Sequence, residues 1–214
     1  FNRELAARMH ALGKYVMANG VLAGYDVPTP HLDILGTETN WMPGGKWQPM
    51  TGTELCFRRA LSGQKPYCFL MNTHYDDFTL ELTERYFQRA LAYGMFPGFF
   101  SENASTNCYF ASPKGYDPAR PLFKKYIPLI QTIAKAGWQP VTRAKSSDPA
   151  VCVERFGDPG ENPLYFTVFN DSGESRSLRE EIDLASLGRA DKEGAVFEMI
   201  SGEAPAMDGR GVVL

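Results

Sequence analysis

The chain has 214 residues, of which 43% are hydrophobic and 22% charged, and its formal net charge at pH 7 is -3. This composition is typical of a soluble globular protein, and the absence of a lysine and arginine run argues against nucleic acid or an anionic membrane surface as a partner. The longest apolar runs are far too short to span a bilayer. The four cysteines are too widely spaced for a metal cluster, and we predict no cofactor.

The first two-thirds of the sequence alternates helix and strand patterns, beginning with a short helix. Asn2 is placed to cap this helix and Gly13 to end it, and helical spacing predicts that Leu5, Met9 and Leu12 face the core. The apolar stretches KYVMANGV and HLDILGTE predict the first two strands.

The next elements carry clear local signals. Thr51 and Glu54 have the spacing of a capping box at the start of a second helix. PYCFLMN is continuously apolar, which predicts a strand covered on both faces. A helix near 79–93 then precedes the strand MFPGFF.

The last helix of this region is marked at both ends. Asp117 is predicted to cap it, Pro118 to occupy its first position and Gly137 to end it. Pro128 lies inside and is expected to kink the helix, because its nitrogen cannot donate to the carbonyl four residues back.

Four strands in one direction fit two architectures, half of an open doubly wound sheet or half of a (β/α)8 barrel. A nucleotide-binding doubly wound sheet is expected to carry a glycine-rich phosphate loop, and neither usual pattern occurs in this sequence. Polar residues instead follow the strands, and in a barrel these strand ends share the rim that holds the chemistry. They are Asn19, Glu38, Asn72, His74, Ser101 and Glu102. We therefore predict the second half of a TIM barrel over residues 1–137.

The pattern changes from Trp138 onward. QPVTRAK, AVCVERFG, LYFTVFN, SLREEIDL and AVFEMI are short runs separated by turn residues. Runs of this kind are typical of antiparallel strands. We predict an antiparallel β-sandwich domain over residues 138–214, truncated at its end.

Two stretches carry a resemblance to known enzymes. VMANG, a short link and LDILGTE together resemble strands 5 and 6 of several glycoside-hydrolase barrel families, in which an Asn-Gly closes one strand and a D-x-x-x-x-E strand follows. RPLFKKYIPLIQTIAKAGWQPVTRA, followed by VERFG and a β-rich segment, is similar to their final barrel helix leading into a C-terminal β-sandwich. The resemblance implies a carbohydrate substrate and a missing N-terminal half of the barrel. It leaves the compartment open, with a secreted or periplasmic location compatible.

Glu38 is the predicted catalytic residue. Glycosidic cleavage commonly uses one carboxyl group to protonate the leaving oxygen, and Glu38 stands where its strand emerges at the rim. Trp41 is expected to offer an aromatic face to a sugar and to help desolvate this acid. The structural alternative is a loop carboxylate that caps a turn or pairs with Arg58 or Arg59.

Further residues are candidates for substrate binding. Asp33 lies inside the predicted strand, where a structural ion pair and a substrate contact are both open. Asn19 and Asn72 suit sugar hydroxyls, although an Asn-Gly is also a common turn. His74 is equally explained as an ordinary loop histidine, whereas for Glu102 a solvated loop acid is the favoured interpretation. Besides the hydrolase, a non-catalytic carbohydrate-binding barrel and a structural or interaction module stay open.

Overall fold

A computed structural model of the protein describes residues 1–20, 27–100, 108–160, 163–189, 195–208 and 211–213. The chain divides into two compact units, Phe1–Ala134 and Lys135–Leu214. The first unit contains a four-stranded parallel sheet, and the second contains two antiparallel sheets.

The elements of the first two-thirds follow the predicted alternation. The helices are α1 (Asn2–Ala11), α2 (Gly52–Ser62), α3 (Leu80–Ala92) and α4 (Pro113–Ala136). The strands are β1 (Met17–Ala18), β2 (Ile34–Thr39), β3 (Tyr67–Asn72) and β4 (Phe96–Phe100). Short 3-10 turns lie at Thr29–His31, Pro43–Gly45, Tyr75–Asp77 and Tyr109–Ala111.

The four strands are parallel and lie in the order β1-β2-β3-β4. The predicted α/β unit with a parallel sheet is therefore confirmed. Asn19 directly follows β1, Glu38 is next to last in β2, and Asn72 ends β3. These residues share the carboxyl edge of the sheet, as predicted, whereas Ser101 lies outside the described residues.

One face of the sheet, here called the covered face, forms the core of the first unit. It consists of Leu35, Thr37, Tyr67, Phe69, Met71 and Phe99, all of which are buried. The ring of Tyr86, from α3, packs edge-on against Phe99 at 5.2 Å between centroids. Arg58, from α2, donates to the hydroxyl groups of Thr37 and Tyr67 on the same face.

The alternate residues form the opposite face, here called the open face. Its side chains include Ile34, Glu38, Cys68, Leu70, Asn72 and Phe96, none of which is fully buried, while Gly36 on the same face is buried. Glu38 pairs in register with Leu70, and Asn72 follows two residues later on the same side. The two polar residues of this face therefore both lie at its carboxyl end.

Helix α1 departs from its prediction. Asn2 is inside the helix, whose N-cap is Phe1. Leu5 is 38% exposed and Leu12 is 71% exposed, while the buried residue of the helix is Ala6. The predicted inward face is wrong, because α1 meets the rest of the unit through the side that carries Ala6. The strand expected from KYVMANGV is also shorter, only Met17–Ala18.

The later helices agree better with their local signals. Both hydrogen bonds of the Thr51–Glu54 capping box are present at the start of α2. Helix α4 begins at Pro113, earlier than predicted, so Asp117 lies within it and pairs with Arg120 at 2.8 Å rather than capping it. Its predicted end is confirmed, since Gly137 follows the last residue with φ of +85°.

Pro97 lies in β4, an edge strand of the parallel sheet in the described part of the chain. The carbonyl oxygen of Phe100 accepts from the Thr73 N–H at 3.2 Å, so Phe100 directs its backbone groups toward the β3 side. Backbone direction alternates along a strand, which turns the groups of Pro97 and Phe99 the other way. The nitrogen of Pro97 therefore faces away from β3.

The second unit contains the antiparallel strands predicted for this region. They are β5 (Trp138–Gln139), β6 (Ala144–Ser146), β7 (Val151–Phe156), β8 (Tyr165–Asn170), β9 (Arg179–Ile182), β10 (Ala206–Asp208) and β11 (Gly211–Val213). The sheets have the orders β5-β7-β8 and β10-β11-β9-β6. AVFEMI is not a strand, because its Glu198 side chain accepts from the Ile200 N–H at 2.7 Å in a turn.

Candidate functional site

The carboxyl edge of the parallel sheet brings Glu38 and Asn19 into direct contact. Asn19 Nδ2 donates to Glu38 Oε1 at 2.6 Å, although both side chains are exposed. Asn19 Oδ1 accepts from the Gly20 N–H at 2.7 Å, which fixes the orientation of the amide. Gly20 has φ of +73°, a conformation that glycine adopts without strain. Two residues predicted for one site are thus adjacent in the fold.

The alternative partners proposed for Glu38 bond elsewhere. Arg58 donates to the hydroxyl groups of Thr37 and Tyr67 on the covered face. Arg59 is buried, and its guanidinium donates to backbone carbonyl oxygens, including that of Gly63 at 2.7 Å. The hydrogen-bond partner of Glu38 is therefore a neutral amide rather than a guanidinium.

Asn72 adds a second amide to the open face. The residue is half-buried, and its Oδ1 is buried without a hydrogen-bond partner among the described residues. A buried acceptor without a donor costs on the order of 1–3 kcal/mol. Such an atom is suited to accept a hydrogen bond from a ligand hydroxyl.

The turn after β3 lies at the same edge of the sheet. His74 is exposed and directly precedes the 3-10 turn Tyr75–Asp77, and its carbonyl oxygen accepts from the Asp77 N–H at 3.1 Å. The same turn carries two exposed carboxylates, Asp76 and Asp77, that the sequence prediction missed. The signal was available, since both acids follow the end of a parallel strand by only a few residues.

Trp41 contradicts its predicted role. It is 1% exposed, and its ring packs edge-on against those of Phe69 at 5.5 Å, Tyr86 at 5.2 Å and Trp47 at 5.7 Å. The prediction that Trp41 offers a face to a sugar is wrong, because the ring is enclosed by other aromatic side chains. A buried ring of this size removes a large apolar area from water and so contributes to the stability of the fold.

Asp33 also differs from its prediction. It precedes β2, at the opposite end of that strand from Glu38, so its predicted place inside the strand is wrong. Its carboxylate accepts from the Val16 N–H at 2.7 Å and lies 2.9 Å from His10 Nε2. The hydrogen bond from His10, followed by that from Val16, lowers the pKa of Asp33 below its usual range. Of its two possible roles, the structure shows the structural one, in hydrogen bonds with His10 and Val16.

The remaining predictions concern Glu102, metal binding and membrane-spanning helices. Glu102 lies outside the described residues. In the described part of the chain, no group of three or more His, Cys, Asp or Glu side chains is arranged to hold a metal ion. Within the same ranges, every helix is too short or too polar to cross a bilayer.

Comparison of the chain with family models, with curated proteins and with solved structures finds no match in any of the three. The function has to be argued from the geometry and chemistry of the site.

Proposed function

We propose that the first unit belongs to a (β/α)8-barrel glycoside hydrolase in which Glu38 is the general acid. The observation that carries the proposal is the contact between Glu38 and Asn19 at the carboxyl edge of parallel strands. Asn72 stands on the same open face with an unpartnered acceptor. One carboxyl group flanked by amides can protonate a glycosidic oxygen and bind the neighbouring sugar hydroxyls.

The arrangement of strands and helices supports a barrel over a doubly wound sheet. The strands follow one another in chain order, without the reversal that creates a crevice in doubly wound folds. Side chains from both α2 and α3 pack on the covered face, through Arg58 and Tyr86. In a barrel all helices lie outside, and the open face lines the interior where substrates reach the rim. By the same proposal, the antiparallel sheets of the second unit form a β-sandwich.

Asn19 has a defined effect on the proposed acid. Because its N–H donates to Oε1, the hydrogen of the neutral carboxyl group is held on Oε2. Oε2 then faces the leaving oxygen and delivers the proton. The described carboxylates at the same edge that can complete the pair are Asp76 and Asp77.

The decisive experiment replaces Glu38 by Gln in the protein with its complete barrel. The change keeps the shape but removes the transferable proton, so activity on a natural glycan should fall roughly 10²–10⁴-fold. An activated aryl glycoside should lose much less, since its leaving group needs little protonation. Both rates are measured beside Glu81→Gln, an exposed glutamate of α3 paired with Arg85.

Three other results would contradict this assignment. An equal loss on both substrates would make Glu38 a nucleophile. Unchanged activity of Glu38→Gln on the glycan, with unchanged melting, would remove Glu38 from the site. A lower melting temperature would make it a structural carboxylate, whereas as an exposed side chain its replacement should alter stability by less than about 0.5 kcal/mol.

A non-catalytic carbohydrate-binding barrel is the second candidate. It is favoured by the single carboxylate, Glu38, among the residues of the four described parallel strands. In that case the parent protein binds an oligosaccharide without turnover, and Asn72→Ala weakens binding while Glu38→Gln preserves it. Calorimetric titration of the parent and both variants separates this function from the hydrolase.

A further inference from the structure

The inward side of α1 lacks large apolar side chains. Arg3, Ala6, Ala7 and His10 follow the spacing i, i+3, i+4, i+7, which in most helices buries apolar residues. Here two alanines lie between two basic side chains. They line a groove of about 410 Å³ whose other wall includes residues 30–33.

Basic groups predominate in this groove. His31 and Lys65 line it together with Arg3 and His10, so it contains two of the three histidines in the chain. Asp33 is the acidic lining residue, and its carboxylate is already bonded to His10. Because Arg3 and Lys65 are two cations against the one carboxylate of Asp33, the groove has an excess of positive charge before any contribution from the histidines.

Both of these cations keep donors for a ligand. Arg3 is exposed, and no hydrogen bond or ion pair joins it to another described residue. Lys65 Nζ donates to the carbonyl oxygens of Thr29 at 2.8 Å and Pro30 at 3.1 Å. An ammonium group has three hydrogens, so one remains while the other two hold Nζ against the wall of the groove.

We propose that this groove binds the oxyanion of a small molecule, either a phosphate or a carboxylate group, through Arg3 and Lys65. Charge-assisted hydrogen bonds from a guanidinium and an ammonium suit both anions, and the volume lies in the range of small-molecule sites. The groove adjoins Asp33, at the amino end of the parallel strands, while Glu38 lies at the carboxyl end. The site is separate from the proposed hydrolase site and does not depend on it.

The test is a titration of the protein with inorganic phosphate at constant pH and ionic strength, followed by the NMR signals of the His10 and His31 rings. Chloride is the reference salt, and malonate is the carboxylate arm. We expect saturable shifts with phosphate or malonate, and the tighter of the two identifies the oxyanion. Arg3→Ala should weaken binding at least about tenfold, in line with the loss of a hydrogen bond to a charged group.

Two further variants separate a built site from diffuse attraction. Arg8→Ala removes the same charge from the same helix, but Arg8 pairs with Glu4 and does not line the groove, so binding should be unchanged. Ala7→Leu narrows the groove without altering charge, and because Ala7 is exposed and leucine favours helices, the fold should persist. We expect Ala7→Leu to lose the binding of phosphate and malonate. Absence of saturation, equal effects of Arg3→Ala and Arg8→Ala, or full binding by Ala7→Leu would each overturn the proposal.

Discussion

The two faces of the parallel sheet are made from alternate residues of the same strands, yet they differ in what surrounds them. In β3, Tyr67, Phe69 and Met71 have 0% exposure on the covered face, whereas Cys68 and Leu70 on the open face are only half-buried. The polar candidates Glu38 and Asn72 stand only on the open face. The buried side chains that stabilise the unit are thus concentrated on one face, and the candidate site residues lie on the other.

The largest effect that tests this contrast is expected at the centre of the covered face. Phe69→Ala removes a ring that contacts Trp41 at 5.5 Å and Tyr67 at 5.4 Å between centroids. Loss of the buried ring and the cavity left behind should lower the free energy of unfolding by about 3–5 kcal/mol. Denaturant unfolding of parent and variant measures it. A loss below about 1 kcal/mol would mean that the covered face is not the core.

A smaller effect is expected one residue later in the same strand. Leu70→Ala shortens a half-buried side chain on the open face, so the loss should be about 1 kcal/mol or less. A loss equal to that of Phe69→Ala would show that the open face is covered in solution. Measuring this loss of stability at several protein concentrations would then show whether self-association buries the open face.

The smallest effect is expected at the amino end of β2, where it is present at neutral pH and lost in acid. Because hydrogen bonds lower the folded-state pKa of Asp33, its contribution to stability is complete above the usual aspartate range, about pH 4, and is lost as pH falls through the lower folded value. Asp33→Asn should therefore be less stable than the parent at pH 7, with the difference shrinking in acid. A double-mutant cycle with His10→Ala isolates the pair, and parallel pH curves for parent and variant would contradict it.

Much of the fold could be predicted because its signals are local. The capping box of Thr51 and Glu54 and the apolar runs of β2, β3 and β4 each act within a few residues. The orientation of α1 could not be predicted in this way. The spacing of Leu5 and Leu12 predicts an amphipathic helix, but tertiary contacts decide which side of the helix packs against the rest of the unit.

The candidate site likewise combines features that local sequence patterns predict with features that depend on tertiary packing. The adjacency of Asn19 and Glu38 was predictable, because the carboxyl ends of neighbouring parallel strands share one edge, while their function stays a prediction. Asp33 was misplaced because β2 begins at Ile34, a boundary that sequence patterns locate only to within a few residues. Trp41 was misplaced because the direction in which the chain leaves β2 depends on packing against Tyr86 and Trp47.

Pro97 gives the outer edge of β4 a built-in resistance to templated aggregation. Unpaired edge strands recruit other chains through rows of N–H and C=O groups, and proteins often interrupt such rows with proline. Of the two outward-facing residues inside β4, Pro97 has no N–H, so Phe99 alone offers a donor there. An extended chain that pairs with this edge finds no backbone donor at Pro97. Any strand that pairs here therefore forms one backbone hydrogen bond fewer, at Pro97.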